Sequence, residues 1–326
     1  MKRENIIGRA NVEDTPELEA YYRELEGEAL GALWTVANEI EPWYPQPKSV
    51  PTLWKWKTVE RFVRRAPELV SAEKAARRVV MLVNPGREEW SAAAGLLYTG
   101  VQVMNPAEFT SAHRHQASAL RFVMEGRGAY TVVDGEKMTL GARDLVLTPN
   151  GTWHDHGVEA TGTQCIWQDG LDIPLMNSLD ANFYEVHPQT MQTPAPLPRD
   201  NWSKPYSPQF IYKWDAAYAA VKAQGVHEYR NPLTGGPIMP TMGARLELIR
   251  GSGKPRRHTG SVIYQVASGS GWSEVGGQRF DWQEKDIFCV PSWALYQHGA
   301  QSDAVLFSFN DFPAMKSLAL WREADA

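Results

Sequence analysis

The sequence predicts a mainly β protein built from one barrel unit used twice, behind a helical N-terminal arm. The repeat is internal to the chain. Arg256-Arg257-His258 stands where His113-Arg114-His115 stood, at a shift of 143, and Gly269-Ser270-Gly271 matches Gly126-Arg127-Gly128 at the same shift. Asp286, Pro291 and Tyr296 match Asp144, Pro149 and His154 at a shift of 142, so one residue has dropped out between. The repeated segment consists of β-rich runs punctuated by Gly126, Gly128, Gly141 and Pro149-Asn150-Gly151, as the turns of a small barrel require. The arm is announced by Asp14-Thr15-Pro16-Glu17: a capping residue, proline in the first turn, and acidic residues facing the helix dipole.

Composition narrows the function classes. A chain of 326 residues has room for about two domains with ample cores. Its 43% hydrophobic and 22% charged residues are those of an ordinary globular protein. A net charge of -5 argues against a nucleic-acid partner. No apolar run approaches the ~18 residues of a membrane helix, and no apolar signal core follows Met1-Lys2-Arg3-Glu4-Asn5. Cys165 and Cys289 are too few for a disulfide framework or a thiolate metal cluster. The chain reads as cytoplasmic.

In order, the arm's helix is expected to run from Asp14 to about Ile40 and to be broken by Pro42, Pro45, Pro47 and Pro51. Shorter helical stretches follow near Val59 to Arg64 and Ser71 to Ala76. Residues 1–90 form this helical region and lead into the first barrel, 91–187. A connector, 188–240, carries Pro194, Pro196, Pro198, Pro205 and Pro208 and a short helix over Asp215 to Ala223; the second barrel is 241–326. A strand over Arg77 to Val83 would send Arg77 and Arg78 to opposite faces. A strand over Tyr98 to Val103 puts Tyr98, Gly100 and Gln102 on one polar, roomy face, where an internal glycine marks close approach by something other than a side chain.

The candidate chemistry sits at the ends of the first unit. His113 and His115, two apart on a strand, point to one face, and the later strands can bring His154 alongside them. Three neutral imidazoles converging inside a small barrel make a divalent metal site. In the second unit Arg256 and Tyr296 replace two of the three, leaving His258, while His298 matches His156. One imidazole does not hold a catalytic metal, so the second barrel is expected to be metal-free and structural. Arg121 belongs to a strand lining the first barrel. A buried arginine needs a counter-charge, either a ligand anion or an acid such as Asp155, Asp169 or Asp172.

His113-x-His115 with Gly126, then Gly141 and Pro149-x-Gly151-x-x-His154, resembles the two cupin motifs. The surrounding words Ala112-His113-Arg114-His115, Ala119-Leu120-Arg121-Phe122-Val123 and Trp153-His154-Asp155-His156-Gly157 are similar to those of the gentisate 1,2-dioxygenase family, which includes salicylate and 1-hydroxy-2-naphthoate dioxygenases. The likeness covers nearly the whole chain. It implies a bicupin, two double-stranded β-helix (jelly-roll) barrels. The general cupin pattern has a glutamate four or five residues after the second histidine. Ala119 and Leu120 stand there, which leaves three imidazoles and no carboxylate.

The resemblance further implies Fe(II) on His113, His115 and His154, and extradiol-type cleavage of a 2-hydroxybenzoate by O2 between its carboxyl- and hydroxyl-bearing carbons. Gentisate ranks first as substrate; salicylate, a 5-chloro or 5-nitro salicylate, or 1-hydroxy-2-naphthoate is the alternative. On this reading Arg77, rather than Arg78, faces the site and joins Arg121 in meeting the substrate carboxylate. Tyr98, Gly100 and Gln102 shape the ring pocket, His156 hydrogen-bonds substrate or oxygen or moves a proton, and Asp155 orients a ligand imidazole. A homo-oligomer, by resemblance a tetramer, is also implied. Two departures lie near the site: Pro106-Ala107-Glu108 where Pro-Gly-Glu is usual, and Val158 after Gly157 where asparagine is common. A zinc or manganese cupin acting as isomerase or hydrolase, and a non-catalytic binding cupin, are the readings from other classes; the intact histidine trio argues against the last.

Overall fold

A computed structural model describes residues 15–75, 77–87, 92–192 and 210–325. The chain forms two compact units, Met1–Gln46 and Pro47–Ala326. Asp14, Ala76 and the prolines 194, 196, 198, 205 and 208 lie outside the described residues. Among those described, no helix is long and apolar enough to cross a membrane.

In the first unit, Thr15 caps the helix Pro16–Gly27, its hydroxyl accepting from the Leu18 N–H at 3.2 Å. The single helix expected to reach Ile40 is two. Ala29 turns left-handed, with φ 56°, and the Leu30 N–H closes back on the Leu25 carbonyl at 2.8 Å, which ends the first helix. The second, Leu33–Ile40, starts afresh after Gly31.

The second unit holds both barrels. In the first, a six-stranded sheet runs in the order Ile211–Tyr212, Leu145–Thr148, Ala119–Glu125, Cys165–Leu171, Tyr98–Met104, Val79–Met81. A five-stranded sheet faces it, in the order Tyr184–Val186, His113–His115, His154–Val158, Ala129–Val133, Glu136–Leu140. The strand expected from Arg77 is shorter than predicted, so Arg77 and Arg78 precede it.

The second barrel repeats this register. Tyr98 pairs with Leu171, which pairs with Ala119; Gly243 pairs with Asn310, which pairs with Val262. Its strands join into one ten-stranded sheet, because the single strand Tyr296–Asn310 does the work of His154–Val158 and Cys165–Leu171 together.

The barrels share a core in which Phe122 of one stacks on Phe307 of the other, with centroids 4.0 Å apart and planes 5° apart. Burying each such ring contributes about 1.5–3 kcal/mol. Gly170 permits the approach: a Cβ there would meet Phe309 Cζ at 2.7 Å.

Each barrel is also completed by the segment that precedes the other. Thr52–Trp54 pairs with Ile287–Val290 of the second barrel, and Ile211–Tyr212 pairs with Leu145–Thr148 of the first. The repeated aspartates then hold the following helices. Asp286 accepts from the Trp56 N–H at 2.7 Å and the Lys55 ammonium at 3.0 Å. Asp144 accepts from the Trp214 N–H at 2.9 Å and the Lys213 ammonium at 2.7 Å. A carboxylate at the positive end of a helix is favourable, and here it arrives from a distant strand. The helices, Trp56–Leu69 and Trp214–Gln224, extend beyond the expected stretches accordingly.

Candidate active site

The strand alternation that placed His113 and His115 on one face holds, and the antiparallel register sets His113 directly opposite His154. The three side chains are buried, and their ligand atoms lie within 4.8 Å of one another, a group that could hold a metal ion. Each ring is oriented by a main-chain carbonyl. The His113 Nδ1–H points to Ser111 O at 2.6 Å, that of His115 to Ala117 O at 2.7 Å, and that of His154 to Thr152 O at 2.9 Å. This fixes the tautomer and leaves each Nε2 lone pair free. All three Nε2 atoms are buried with no hydrogen-bond partner among the described residues, so the donor set fits a divalent metal. Burial lowers the His113 pKa to about 3 and that of His115 to about 4, with the Arg77 charge acting in the same direction; His154 is also pushed well down, by burial and by the other two rings. The imidazoles are therefore neutral, as coordination requires.

A cavity of about 280 Å³ adjoins His115, walled by Arg77, Leu171, Ile173, Phe183 and Tyr184. Arg78 points elsewhere and pairs with Glu108. Arg121 is buried, and its counter-charge is Asp169, whose Oδ1 lies 3.1 Å from the arginine Nε; an Nη1 hydrogen of Arg121 goes to Thr148 Oγ1 at 3.1 Å. The Asp169 carboxyl is pushed up to about 6 by burial, against the opposing pull of Arg121 and Arg77. With Arg77 added, cations still outnumber carboxylates beside the imidazoles.

Gln102 is buried with neither amide atom hydrogen-bonded among the described residues, and Tyr98 and Gly100 share its face as alternation required. His156 shares a hydrogen bond with the Thr131 hydroxyl through Nδ1 at 2.8 Å, while its Nε2 is buried and, among the described residues, unpartnered. Buried polar groups normally find partners, so this concentration of orphaned atoms marks a place built to receive something.

Asp155 does not orient an imidazole. Strand alternation turns it away from His154 and His156, and its Oδ2 accepts from the Gln192 backbone N–H at 3.1 Å and side-chain amide at 3.2 Å. Ala107, at the unusual Pro-Ala-Glu, takes φ 65°, a conformation that favours glycine. Sequence reasoning missed Phe183 and Tyr184. Tyr184 stacks on His113 with centroids 5.3 Å apart, because its strand pairs with the histidine strand. Only the short β-like run 183–186 hinted at it, and nothing in the sequence assigned that run a neighbour.

A cupin domain family model matches residues 100–174. The chain is 36% identical over 337 residues to gentisate 1,2-dioxygenase 1 of Aquipseudomonas alcaligenes, covering 95% of this chain and 97% of that one. It is 33% identical to 5-aminosalicylate 1,2-dioxygenase of Comamonas sp., over 94% of this chain and 90% of the relative. Among solved structures, salicylate 1,2-dioxygenase from Pseudoaminobacter salicylatoxidans with gentisate adducts matches with a TM-score of 0.89 and 30% identity, over 100% of this chain and 98% of that one. With the duplicated barrels and one three-histidine group, these likenesses settle the kinship: the chain belongs to the gentisate and salicylate 1,2-dioxygenase family of bicupins and is a ring-cleaving dioxygenase of hydroxybenzoates.

Proposed function

We propose that the chain binds one Fe(II) through Nε2 of His113, His115 and His154 and cleaves a 2-hydroxybenzoate, gentisate before other substrates, between the carboxyl- and hydroxyl-bearing carbons with O2. The observation that carries this reading is the trio of buried, neutral imidazoles whose Nε2 atoms have no partner, beside two arginines. When bound, iron(II) supplies open coordination positions for substrate and oxygen and a route for electrons between them.

The side chains supply charge and alignment. Arg121, held by Asp169, and Arg77, at the cavity wall, meet the substrate carboxylate. Gly100 and Tyr98 set the room for the ring: a Cβ on Gly100 would meet Val79 Cγ1 at 2.5 Å and the Tyr98 hydroxyl oxygen at 3.0 Å. His156 Nε2 and the Gln102 amide offer buried hydrogen bonds to substrate or oxygen, and His156 can accept or return a proton there. The second barrel serves as scaffold. The chain works as a homo-oligomer in this reading, supported by the edge strand Tyr184–Val186 beside the cavity, whose outer side lies open to solvent.

Metal analysis and O2 uptake across gentisate, salicylate, 5-substituted salicylates and 1-hydroxy-2-naphthoate test the proposal. One iron per chain and the highest kcat/KM on gentisate are expected. Retained zinc with no O2 consumption would reassign the chemistry; preference for another acid would reassign the substrate.

A further inference from the structure

We infer that the mouth of the second barrel is a binding site for a small organic carboxylate. The cavity there has a volume of about 280 Å³, at the lower edge of the ~300–1,000 Å³ typical of small-ligand sites and right for a single ring. The repeat places it opposite the catalytic cavity in kind: Asn310 and Phe312 line it where Leu171 and Ile173 line the first. By the same register, Arg245 takes the place of Gly100, since Gly100 pairs with Asp169 as Arg245 pairs with Ser308.

Arg245 is what gives this mouth a chemistry. One terminal nitrogen of its guanidinium lies 2.8 Å from Glu247 and 3.3 Å from the Tyr264 hydroxyl; among the described residues its Nε has no partner. Glu247 is already shared with Arg256, at 2.8 Å. One carboxylate thus serves two guanidinium groups. Arg256, its side chain 40% exposed, is also hydrated, whereas Arg245, 15% exposed, has only its share of Glu247 in a setting where charge is costly unless matched. His258 and His298 add none, being neutral by burial.

At the rim, Arg230 is cancelled by Glu228 at 3.0 Å, but the exposed Lys316 has no carboxylate within ion-pair distance among the described residues. Phe312, Pro313 and Pro237 make the remaining wall apolar. A cationic floor, a cationic rim and apolar sides select an anion with an apolar body. This inference does not depend on the iron reading, whose failure would appear as lost iron or turnover.

The test is calorimetric titration of iron-loaded protein with benzoate, and with acetate as the anion lacking a ring, alongside crystals soaked in 4-bromobenzoate to locate bromine by anomalous scattering. Bromine is expected in the second-barrel mouth. Benzoate binding there should weaken about 30-fold or more in Arg245→Gln and about tenfold in Lys316→Glu, with iron content and gentisate turnover at wild-type levels. Lys316 is exposed, so the second variant keeps the test valid if the first fails to fold. Bromine confined to the first barrel, or isotherms unchanged in Lys316→Glu, would overturn the site. Acetate binding as tightly as benzoate would overturn its organic selectivity.

Discussion

The two barrels share a register and differ in how their polar centres are satisfied. In the first, three imidazoles present unpartnered Nε2 atoms to one another, and Gln102 and His156 add more unpaired groups. In the second, Tyr296 replaces His154 and its hydroxyl occupies the Nε2 of His258 at 2.9 Å. Arg256 replaces His113, and Glu247, which pairs with Leu306 as Gln102 pairs with Trp167, ties Arg256 and Arg245 together. The sheet tolerates either centre. What differs is the state of the ligand positions themselves. In the first barrel their Nε2 atoms wait for a ligand, whereas in the second Tyr296 engages the remaining histidine and Glu247 engages Arg256. Arg245 Nε and His298 Nε2 nonetheless stay unpartnered among the described residues.

The comparison breaks first at the matched histidines. His115→Ala is expected to abolish both bound metal and ring cleavage. His258→Ala should leave metal content and turnover unchanged and cost the Tyr296 hydrogen bond together with the ring packing on Phe312 and Trp321, about 2–4 kcal/mol in unfolding. Metal analysis showing two ions per chain, one of them lost in His258→Ala, would show that the second centre is not closed.

Next in size is the arginine pair. Arg121→Ala should lower kcat/KM by roughly 30-fold to several thousand-fold with metal content little changed, since removing a buried charged partner costs ~2–5 kcal/mol. Arg121→Lys should recover only part, because an ammonium cannot reproduce the planar fork. Wild-type efficiency in metal-loaded Arg121→Ala on every hydroxybenzoate tried would reduce the arginine to a partner of Asp169.

How much of this was legible beforehand follows from the range of the interactions. The metal trio was readable because period-two alternation fixes His113 and His115 locally, and the repeat supplied a second copy in which Arg256 and Tyr296 had replaced ligands. Arg121 was readable as inward, but its partner was left among three aspartates: strand register, which sets Asp169 opposite Arg121, is a tertiary property. The same limit hid Tyr184, whereas Asp155 was misassigned against the local pattern, since the alternation that turns it away from His154 and His156 is readable in the sequence. The exchange of edge strands was invisible too, although its anchors, Asp144 and Asp286, stood out in the repeat. Local pattern specifies faces; it does not specify neighbours.

The closed centre predicts a stability effect without a catalytic one. Burial works against ionisation of Glu247, but Arg245 and Arg256 outweigh it and hold its pKa below the usual carboxylate range. Glu247→Gln leaves the buried Arg245 without its counter-charge, while the half-exposed Arg256 stays hydrated, and should destabilise by about 3 kcal/mol, with metal content per folded chain unchanged. Because the folded pKa is depressed, the stability Glu247 contributes is present at neutral pH and declines as pH falls through the acidic range. Denaturant melts of wild type and variant that stay parallel down to acid pH would contradict this.

The smallest expected effect compares two carboxyls that occupy matching corners. Asp172 accepts from the Ser118 N–H and Asp311 from the Ser261 N–H, each at 2.7 Å. Burial raises both from the ordinary 3.8, Asp172 to about 6 and Asp311 to about 7. Asp172 is raised less, and it has a hydroxyl donor in Thr241 alongside the backbone donor. A raised carboxyl pKa means that the folded state favours the protonated form. The associated stability is complete below the unfolded value and is lost as pH rises through the folded one. Asparagine keeps the acceptor oxygen and removes the titration. Asp311→Asn should therefore gain stability over wild type as pH climbs from about 4 to about 7, levelling near 1–2 kcal/mol once the lost charge-assisted bonds are set against it. Asp172→Asn should gain less and level off about one unit earlier. Chemical denaturation across that pH range checks both. A stability difference for Asp311→Asn that is flat with pH would mean the aspartate is already ionised in the fold, and equal gains at the two positions would remove the role given to Thr241.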